Sequence, residues 1–469
     1  MRKKSRSLTI ILLFLTLFSF AQQTTIATLS FQEFMSIVEK NHPIAKQADL
    51  ITKGGDAAVL SARGNFDPKL FYDFRNKFYD GKNYFELHNG GFKIPTWFGI
   101  ELKGGYEQNE GIYLNPENTM PTNGLAYSQI SLPILQNLLI DERRSTLKQA
   151  KIFQEQSVYE KINQLNELLY KAGKAYWDWS VAYNNLSIFS NAIELSKQRL
   201  EAVKLSVNLG DRPLIDTVEA SIQLQDRTIN YQQSLIDYRT KTLILSNYLW
   251  LDNNVPVELT EQTIPENITQ TYSKDAYILS SITKMDSIIN DHPALKTYQF
   301  KLKQLSVEER MKKEKLKPIL NLNYNPLFDP EYANNINLNN YKWGVTVGMP
   351  IFLRKERGEL KMTKIKIENT QYEMNYKKTE LSNKVKATIN EYNNLKKQIQ
   401  IYDTNVDNYE KLWQSEKKLF DSGESSLFMI NSRESSYINA QLKLNEIIYK
   451  NKKAALDAEY SFGQLNSIY

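Results

Sequence analysis

The sequence contains no cysteine. Disulfide bonds, thiol catalysis, thiolate metal sites and a lipid-bearing N-terminal cysteine are therefore excluded. Glycine and proline are also scarce, at 18 and 14 of 469 residues, and long stretches contain almost neither. Because these residues normally mark turns and linkers, their scarcity predicts long uninterrupted helices rather than several small domains joined by linkers.

The chain also has little net charge once its first residues are set aside. The formal charge of +6 includes Arg2, Lys3, Lys4 and Arg6, so the remainder of the chain carries 6 − 4 = +2. Proteins that bind nucleic acid need a clustered positive surface. Nucleic acid is therefore not expected as a partner.

The N-terminus has the pattern of a secretory signal peptide. These basic residues precede an apolar run from Leu8 to Phe20, which ends at the small residue Ala21. The run is too short to span a bilayer, and no later segment has the roughly 18 consecutive apolar residues of a transmembrane helix. We expect residues 1–21 to be a signal peptide and the mature chain to begin near Gln22.

Long helices are predicted in two pairs. Between Ser145 and Asn208 the apolar residues recur at alternating steps of three and four, which is the heptad pattern of a coiled coil. At ~1.5 Å per residue, such a helix would be on the order of 90 Å long, as in a coiled coil or the wall of a tube. The same type of pattern continues in three further segments: Leu214 to about Leu251, about Arg357 to Phe420, and Leu427 to about Phe462.

A glycine turn interrupts each pair of helices. The periodic pattern breaks at residues 209–213 and at residues 421–425, around Gly210 and Gly423. Glycine ends helices because it readily adopts a positive φ. We expect Asp211 to cap the helix that follows the first break and Pro213 to occupy its first turn. Two helical hairpins with tight tips are predicted.

The chain is an internal duplication. The tip glycines are 423 − 210 = 213 residues apart, His42-Pro43 recurs as His292-Pro293, and Pro133-Ile134 recurs as Pro350-Ile351. The first repeat is predicted at 22–255, with a short helix, a β segment at about 68–135 and a hairpin tip near 209–213. An inter-repeat equatorial segment at 256–281 precedes the second repeat, 282–469, with a short helix, a β segment at about 318–352 and a tip near 421–425.

The β segments alternate with a period of two. Leu70, Tyr72 and Phe74 oppose Asp73 and Arg75, and the same alternation is found at residues 98–106, 320–324 and 342–349. Such strands suit a membrane barrel with a wet lumen, although a half-buried soluble sheet would look similar. The first repeat has room either for two long strands with a large outer loop or for four strands.

The order of these features resembles the TolC-like outer-membrane efflux protein family, over essentially the whole mature chain. The resemblance implies a mainly α protein with membrane β structure, built from a duplicated helix–strand–strand–helix unit. Three chains would form one β-barrel that continues as a long α-helical coiled-coil tube into the periplasm. It further implies a passive exit duct in the cell outer membrane, for efflux or type I secretion of a drug, a metal ion or a protein.

The same resemblance implies the partners and the functional residues. The expected partners are two further copies of the chain, a periplasmic adaptor (membrane fusion protein), an inner-membrane transporter and outer-membrane lipid. The adaptor would dock on the hairpin tips, which are predicted to consist of Leu209, Gly210, Asp211, Ser422, Gly423 and Glu424.

A periplasmic gate is predicted just inside the tips. The family often places an aspartate six residues after the tip glycine, and Asp216 matches that spacing, followed by Glu219. The second copy departs from it, and Phe420 and Ser425 stand where the best-known members carry a tyrosine and an arginine that help to hold the tube shut. The predicted gate comprises Asp216, Glu219, Leu214, Leu427 and Phe428. Acidic residues here could form a charged ring or serve as favourable helix-terminus residues.

Neither catalysis nor a cofactor is predicted. The sequence has no Gly-rich phosphate loop after a strand, no G-x-S-x-G motif and no histidine spaced for a metal, so the histidines are interpreted as structural. The alternative function is a periplasmic coiled-coil adaptor or scaffold protein of an export complex. Such a protein should have one hairpin and a compact β domain, and the duplication favours the duct.

Overall fold

A computed structural model describes residues 27–260, 262–267, 285–330, 339–463 and 465. The predicted signal peptide, residues 1–21, lies outside the described residues. Residues 261 and 268–281 of the predicted inter-repeat segment also lie outside them.

Long helices dominate the fold, which confirms the predicted mainly α class. The first repeat contains α1 (Phe31–Asn41), α2 (Pro43–Arg63), α3 (Glu142–Asn208) and α4 (Leu214–Ser246). The second repeat contains α5 (Met285–Asn290), α6 (Pro293–Glu314), α7 (Arg354–Asp421) and α8 (Leu427–Phe462). The heptad pattern therefore located the long helices to within a few residues, except that α4 ends at Ser246 rather than near Leu251.

The strands form one large sheet and two small ladders. The small ladders pair β1 (Ala27–Leu29) in parallel with β8 (Thr263–Pro265), and β6 (Trp250–Leu251) antiparallel with β7 (Val255–Pro256). The large sheet is antiparallel throughout and consists of β2 (Lys69–Tyr79), β3 (Lys82–Pro95), β4 (Glu101–Glu110), β5 (Leu125–Pro133), β9 (Ile319–Phe328) and β10 (Tyr341–Gly348). Its strand order is β10-β9-β5-β4-β3-β2.

The first repeat contributes four strands to this sheet and the second repeat two. Of the two arrangements that the sequence allowed, the structure has the four-stranded one, so the first copy carries an extra hairpin. Phe98 and Ile100, which the alternation assigned to a strand, lie instead in the turn between β3 and β4. There the Thr96 N–H and hydroxyl both donate to the carbonyl oxygen of Ile100, at 3.0 and 2.7 Å.

A core near the middle of α3 joins the short helices to the first hairpin. Trp179 is fully buried, and its ring N–H donates to the Thr242 hydroxyl of α4 at 3.1 Å. The Tyr176 hydroxyl donates to the Leu29 carbonyl of β1 at 2.8 Å, and Phe31 of α1 stacks on Trp177. Aromatic rings thus fix the N-terminal strand and helix against the long hairpin.

The two His-Pro pairs occupy equivalent helix starts. His42 Nδ1 accepts a hydrogen bond from the Ile44 N–H, and His292 Nδ1 accepts one from the Ala294 N–H, both at 3.1 Å. In each case proline occupies the first helical turn, where its missing N–H leaves no broken bond. The imidazole therefore serves as the N-cap acceptor that serine or aspartate usually supplies.

Candidate functional site: the sheet faces and the hairpin tips

The strand register separates an apolar face of the sheet from a polar one. On the apolar face Leu102 lies opposite Ile130, Ile130 opposite Tyr324, and Tyr324 opposite Trp343. Side chains of this face that remain exposed on the single chain are Leu70, Tyr72, Phe74, Phe92, Ile94, Leu102, Tyr106, Ile130, Tyr324, Tyr341, Trp343, Val345 and Val347. A broad apolar face without a covering helix is the pattern of a sheet that faces lipid.

The opposite face is hydrated and rich in hydrogen bonds. Lys93 forms an ion pair with Glu101 at 2.7 Å, and Asn89 donates to Glu107 at 2.9 Å. The Tyr127 hydroxyl donates to the Asn89 side-chain oxygen at 2.8 Å. This face has the chemistry of an aqueous wall.

Both hairpin tips end their first helix in the same way. At the first tip Gly210 has φ +83°, its N–H donates to Val207, and the Asp211 N–H donates to Ser206. At the second tip Gly423 has φ +79°, with the equivalent bonds from Gly423 to Phe420 and from Glu424 to Leu419. These paired bonds define the Schellman motif, in which glycine supplies the left-handed residue. The duplication is therefore preserved in hydrogen-bond detail.

The starts of the second helices differ from one tip to the other. Pro213 is the N-cap residue of α4 and makes no side-chain bond to the helix, so the predictions that Asp211 caps it and that Pro213 lies in its first turn are wrong. At the second tip the Ser426 hydroxyl accepts from the Met429 N–H at 3.3 Å. The residues at 211–213 form an extended link, which places Asp211 too early in the chain to reach the free N–H groups.

The residues predicted for the gate divide into buried and exposed ones. Leu427 is buried in a small core between the two hairpins, which we name the tip core and which contains Leu200, Val203, Ala220, Trp413, Leu427 and Ile430. Leu214 and Phe428 are 72% and 68% exposed on the single chain, and Leu209 is exposed as well. Adjacent residues 427 and 428 thus point to opposite sides of α8.

Both predicted gate carboxylates have partners within the chain. Asp216 lies 3.4 Å from the Arg212 guanidinium, and Glu219 accepts from the Asn431 side-chain amide at 3.2 Å. Arg212 also stacks on the Phe420 ring, 4.0 Å from its centroid, and donates to the Phe420 carbonyl oxygen. One arginine therefore joins the first tip to the end of α7.

The residues that depart from the family pattern have their own contacts. Phe420 forms the surface on which the Arg212 guanidinium rests, which is a favourable cation–π arrangement. The Ser425 hydroxyl donates to Glu416, which also lies 3.9 Å from Arg433. The tips are thus tied by polar contacts other than a tyrosine–arginine pair.

A buried polar network lies above the tip core. Arg199 of α3 donates to Glu434 and, at 2.9 Å, to the Asn431 side-chain oxygen, both on α8. Arg227 of α4 donates to the Ser435 hydroxyl at 2.7 Å, and burial lowers the pKa of its guanidinium while the Glu434 carboxylate opposes that shift. Sequence reasoning missed this network. Its only local signal was charged residues at apolar positions of the heptad pattern.

Two kinds of site have no candidate in the described part of the chain. Among residues 27–260, 262–267, 285–330, 339–463 and 465, no group of three or more acidic, histidine or cysteine side chains could hold a metal ion. Within the same residues, no helix combines the length and apolar character that crossing a bilayer requires.

The comparisons with known proteins agree with this architecture. The model of the outer membrane efflux protein family matches residues 286–457. No curated protein matches the chain in sequence. Among solved structures, the CmeC outer membrane channel of Campylobacter jejuni has a TM-score of 0.66 at 13% identity, and covers 92% of this chain and 85% of its own.

Two further solved structures have the same fold. The open-state MtrE outer membrane channel of Neisseria gonorrhoeae has a TM-score of 0.68 at 12% identity, covering 92% of this chain and 88% of its own. The outer membrane protein VceC of Vibrio cholerae has a TM-score of 0.64 at 11% identity, covering 92% and 96%.

Two long helical hairpins extending from one antiparallel sheet define a class of protein, the helical-tube outer membrane channels. Residues 286–457 carry the outer membrane efflux protein domain of that class. The predicted resemblance to the TolC-like outer-membrane efflux proteins is confirmed.

Proposed function

We propose that this protein is a passive exit duct of the outer membrane, which carries cargo from an inner-membrane transporter to the cell exterior. The observation that supports this most is the continuity of one structure from an apolar sheet face to distant tips. The helix α7 has 68 residues, so at ~1.5 Å per residue the tip lies about 100 Å from the sheet. That distance suits a tube that crosses the periplasm.

The duct is a homotrimer. Six strands per chain are fewer than the eight of the smallest membrane barrels, so one chain is too small to enclose a pore. Three copies also bring six hairpins together, two from each chain, as the wall of one tube.

The hairpin tips dock on the periplasmic adaptor. Leu209, Gly210 and Asp211 form one docking turn, and Ser422, Gly423 and Glu424 form the other. A Cβ placed on either glycine would meet no atom within 4 Å, so the space above each turn is open to a partner. The exposed Leu209 offers an apolar contact at the same place.

Fractionation and a paired tip variant test this function. The parent should appear in the outer membrane as a trimer in mild detergent, and should show no hydrolase activity. The Gly210→Val, Gly423→Val variant should remain trimeric but fail to retain the adaptor, because valine disfavours positive φ and fills the docking space. Soluble, monomeric parent protein in the periplasm would contradict the proposal and favour the adaptor or scaffold alternative.

The gate consists of acidic residues above the docking turns and apolar residues between copies. Asp216 and Glu219 place two carboxylates per chain, hence 2 × 3 = 6 per trimer, near the narrow end. Leu214 and Phe428 are exposed on the single chain and would pack between neighbouring copies, while Leu427 holds the two hairpins of each chain together. Arg212 partly neutralises Asp216 and limits the repulsion within the ring.

Charge removal at the gate should change ion selectivity. In planar bilayers at low salt, the Asp216→Asn, Glu219→Gln variant should lose most of the cation preference of the parent, because a ring of carboxylates favours cations. The control is Glu201→Gln, which removes an exposed carboxylate from α3 nearer the tube wall. If the double variant keeps its cation preference and conductance, the carboxylates do not line the constriction.

A further inference from the structure

The six-stranded sheet has two open edges. Its terminal strands are β2 (Lys69–Tyr79) and β10 (Tyr341–Gly348), and in the described residues neither pairs on its outer side. An unpaired edge presents a row of free N–H and C=O groups, which is unfavourable in water and far more so in lipid. Each edge therefore requires a partner strand.

The two edges run in opposite directions. The strand β2 leads away from α2, whereas β10 leads back to α7, and all five ladders between them are antiparallel. A β2 edge of one copy placed beside the β10 edge of another would therefore form one more antiparallel ladder. The long helices of both copies would remain on the same side of the membrane.

The two faces of the sheet also match at these edges. On the apolar face β2 carries Leu70, Tyr72 and Phe74, and β10 carries Trp343, Val345 and Val347, all exposed on the single chain. On the polar face β2 carries Asp73, Arg75 and Lys77, and β10 carries Lys342, Gly344 and Thr346. Joining the edges continues the apolar band on one side and the polar wall on the other.

We infer that the partner of each edge is a second copy of this chain, and that three copies close one barrel of eighteen strands by pairing β2 of each copy with β10 of the next. This inference rests on the proposed trimeric duct and adds its strand count, 3 × 6 = 18, and its subunit seam. At ~4.8 Å between strands and a tilt of ~40°, eighteen strands give a backbone diameter of roughly 35 Å. Barrels of that size leave an aqueous channel.

The extra hairpin of the first repeat has a definite role in this arrangement. The strands β2 and β3 form the seam-side third of each sheet, and β3 is held to β4 by a ladder from Glu86–Glu110 to Pro95–Glu101. If the hairpin lay outside the barrel, β4 would be the edge and three copies would supply 3 × 4 = 12 strands. The two arrangements place different strands at the seam.

Disulfide trapping distinguishes them without background, because the chain has no cysteine. Asp73→Cys, Arg75→Cys and Lys77→Cys on β2 would each be combined with Gly344→Cys or Thr346→Cys on β10. At least one combination should give covalent dimers and trimers on a non-reducing gel, because opposed residues of an antiparallel pair have Cα atoms about 4.5–5.5 Å apart. Testing several combinations covers the register of the seam.

The matched control moves the cysteine one strand inward. Leu87 is the cross-strand neighbour of Arg75 on β3, so Leu87→Cys with Thr346→Cys places the two Cα atoms about 10 Å apart across the seam, too far for a disulfide. This pair should give no covalent dimer. Cross-linking of the control in place of every edge pair would overturn the inference.

Electron cryo-microscopy of the unmodified trimer supplies an independent measurement. Eighteen strands support the inference, and twelve strands with a separate β2–β3 hairpin overturn it. A trimer in the outer membrane that lacks the β2–β10 seam would leave the proposed duct intact and contradict only the seam. A soluble monomer would instead refute the proposed function itself.

Discussion

Replacing Glu434 with alanine is expected to lower the free energy of unfolding by about 3–5 kcal/mol, because it leaves the buried Arg199 guanidinium without its carboxylate. The side chain of Glu434 is 1% exposed and that of Arg199 is 10% exposed. Water cannot readily replace the lost partner at such a site. Thermal or denaturant unfolding of the detergent trimer at fixed protein concentration measures the loss.

The position of the pair gives it a functional consequence. Arg199 precedes Gly210 by 210 − 199 = 11 residues, and Glu434 follows Gly423 by 434 − 423 = 11 residues. At ~1.5 Å per residue, both lie about 16 Å from their tips. The pair therefore ties the two hairpins at one level, and its loss should also raise the frequency of open events in planar bilayers.

A double variant separates burial of charge from packing. Arg199→Met with Glu434→Leu removes both charges and keeps side chains of similar length, so it should be more stable than Glu434→Ala alone. The Glu434→Gln variant retains an acceptor for Arg199 and should be intermediate. If Glu434→Ala costs less than about 1 kcal/mol, the level of a surface ion pair, the network is hydrated in the trimer.

Acidification is expected to destabilise the protein through His292. Burial lowers the pKa of this imidazole from 6.5 to about 4, and the positive charges of Lys377 and Lys384 act in the same direction. Between these pH values the unfolded chain binds a proton that the folded chain excludes. Stability is therefore complete above pH 6.5 and falls as the pH decreases toward 4, by about 3 kcal/mol for this group.

The structural reason is the tight enclosure of the capping ring. His292 Nδ1 accepts the helix N–H of Ala294, and Nε2 is buried beside Gly463, where an added Cβ would lie 2.8 Å away. A protonated ring could no longer accept the capping bond. The helix N-terminus would also repel its positive charge.

An asparagine variant isolates this contribution. The side-chain oxygen of His292→Asn can accept the same capping bond but does not titrate, so its stability should fall less than that of the parent between pH 6.5 and 4. His42→Asn is the matched control at the equivalent helix start, where burial also lowers the imidazole pKa. Superimposable pH profiles for the parent and His292→Asn would contradict the assignment.

The sequence by itself determined the helical part of the fold. The heptad spacing located α3, α7 and α8, and the glycines located both tips, because helix periodicity and positive φ are properties of the local chain. The duplicated His-Pro pairs likewise predicted equivalent helix starts. The signal peptide and the adaptor-docking assignments stay predictions.

Only the tertiary structure decided the number of strands and the partners of the charged residues. Alternation of polar and apolar residues does not fix where a strand turns, so Phe98 and Ile100 seemed to belong to a strand although they form a turn. Leu427 and Phe428 are both apolar neighbours, yet one is buried and the other exposed. Arg199 and Glu434 are 235 residues apart in the chain and meet only because the two hairpins pack in one register. A local pattern cannot specify such a pairing, since it depends on how separate helices align along their length.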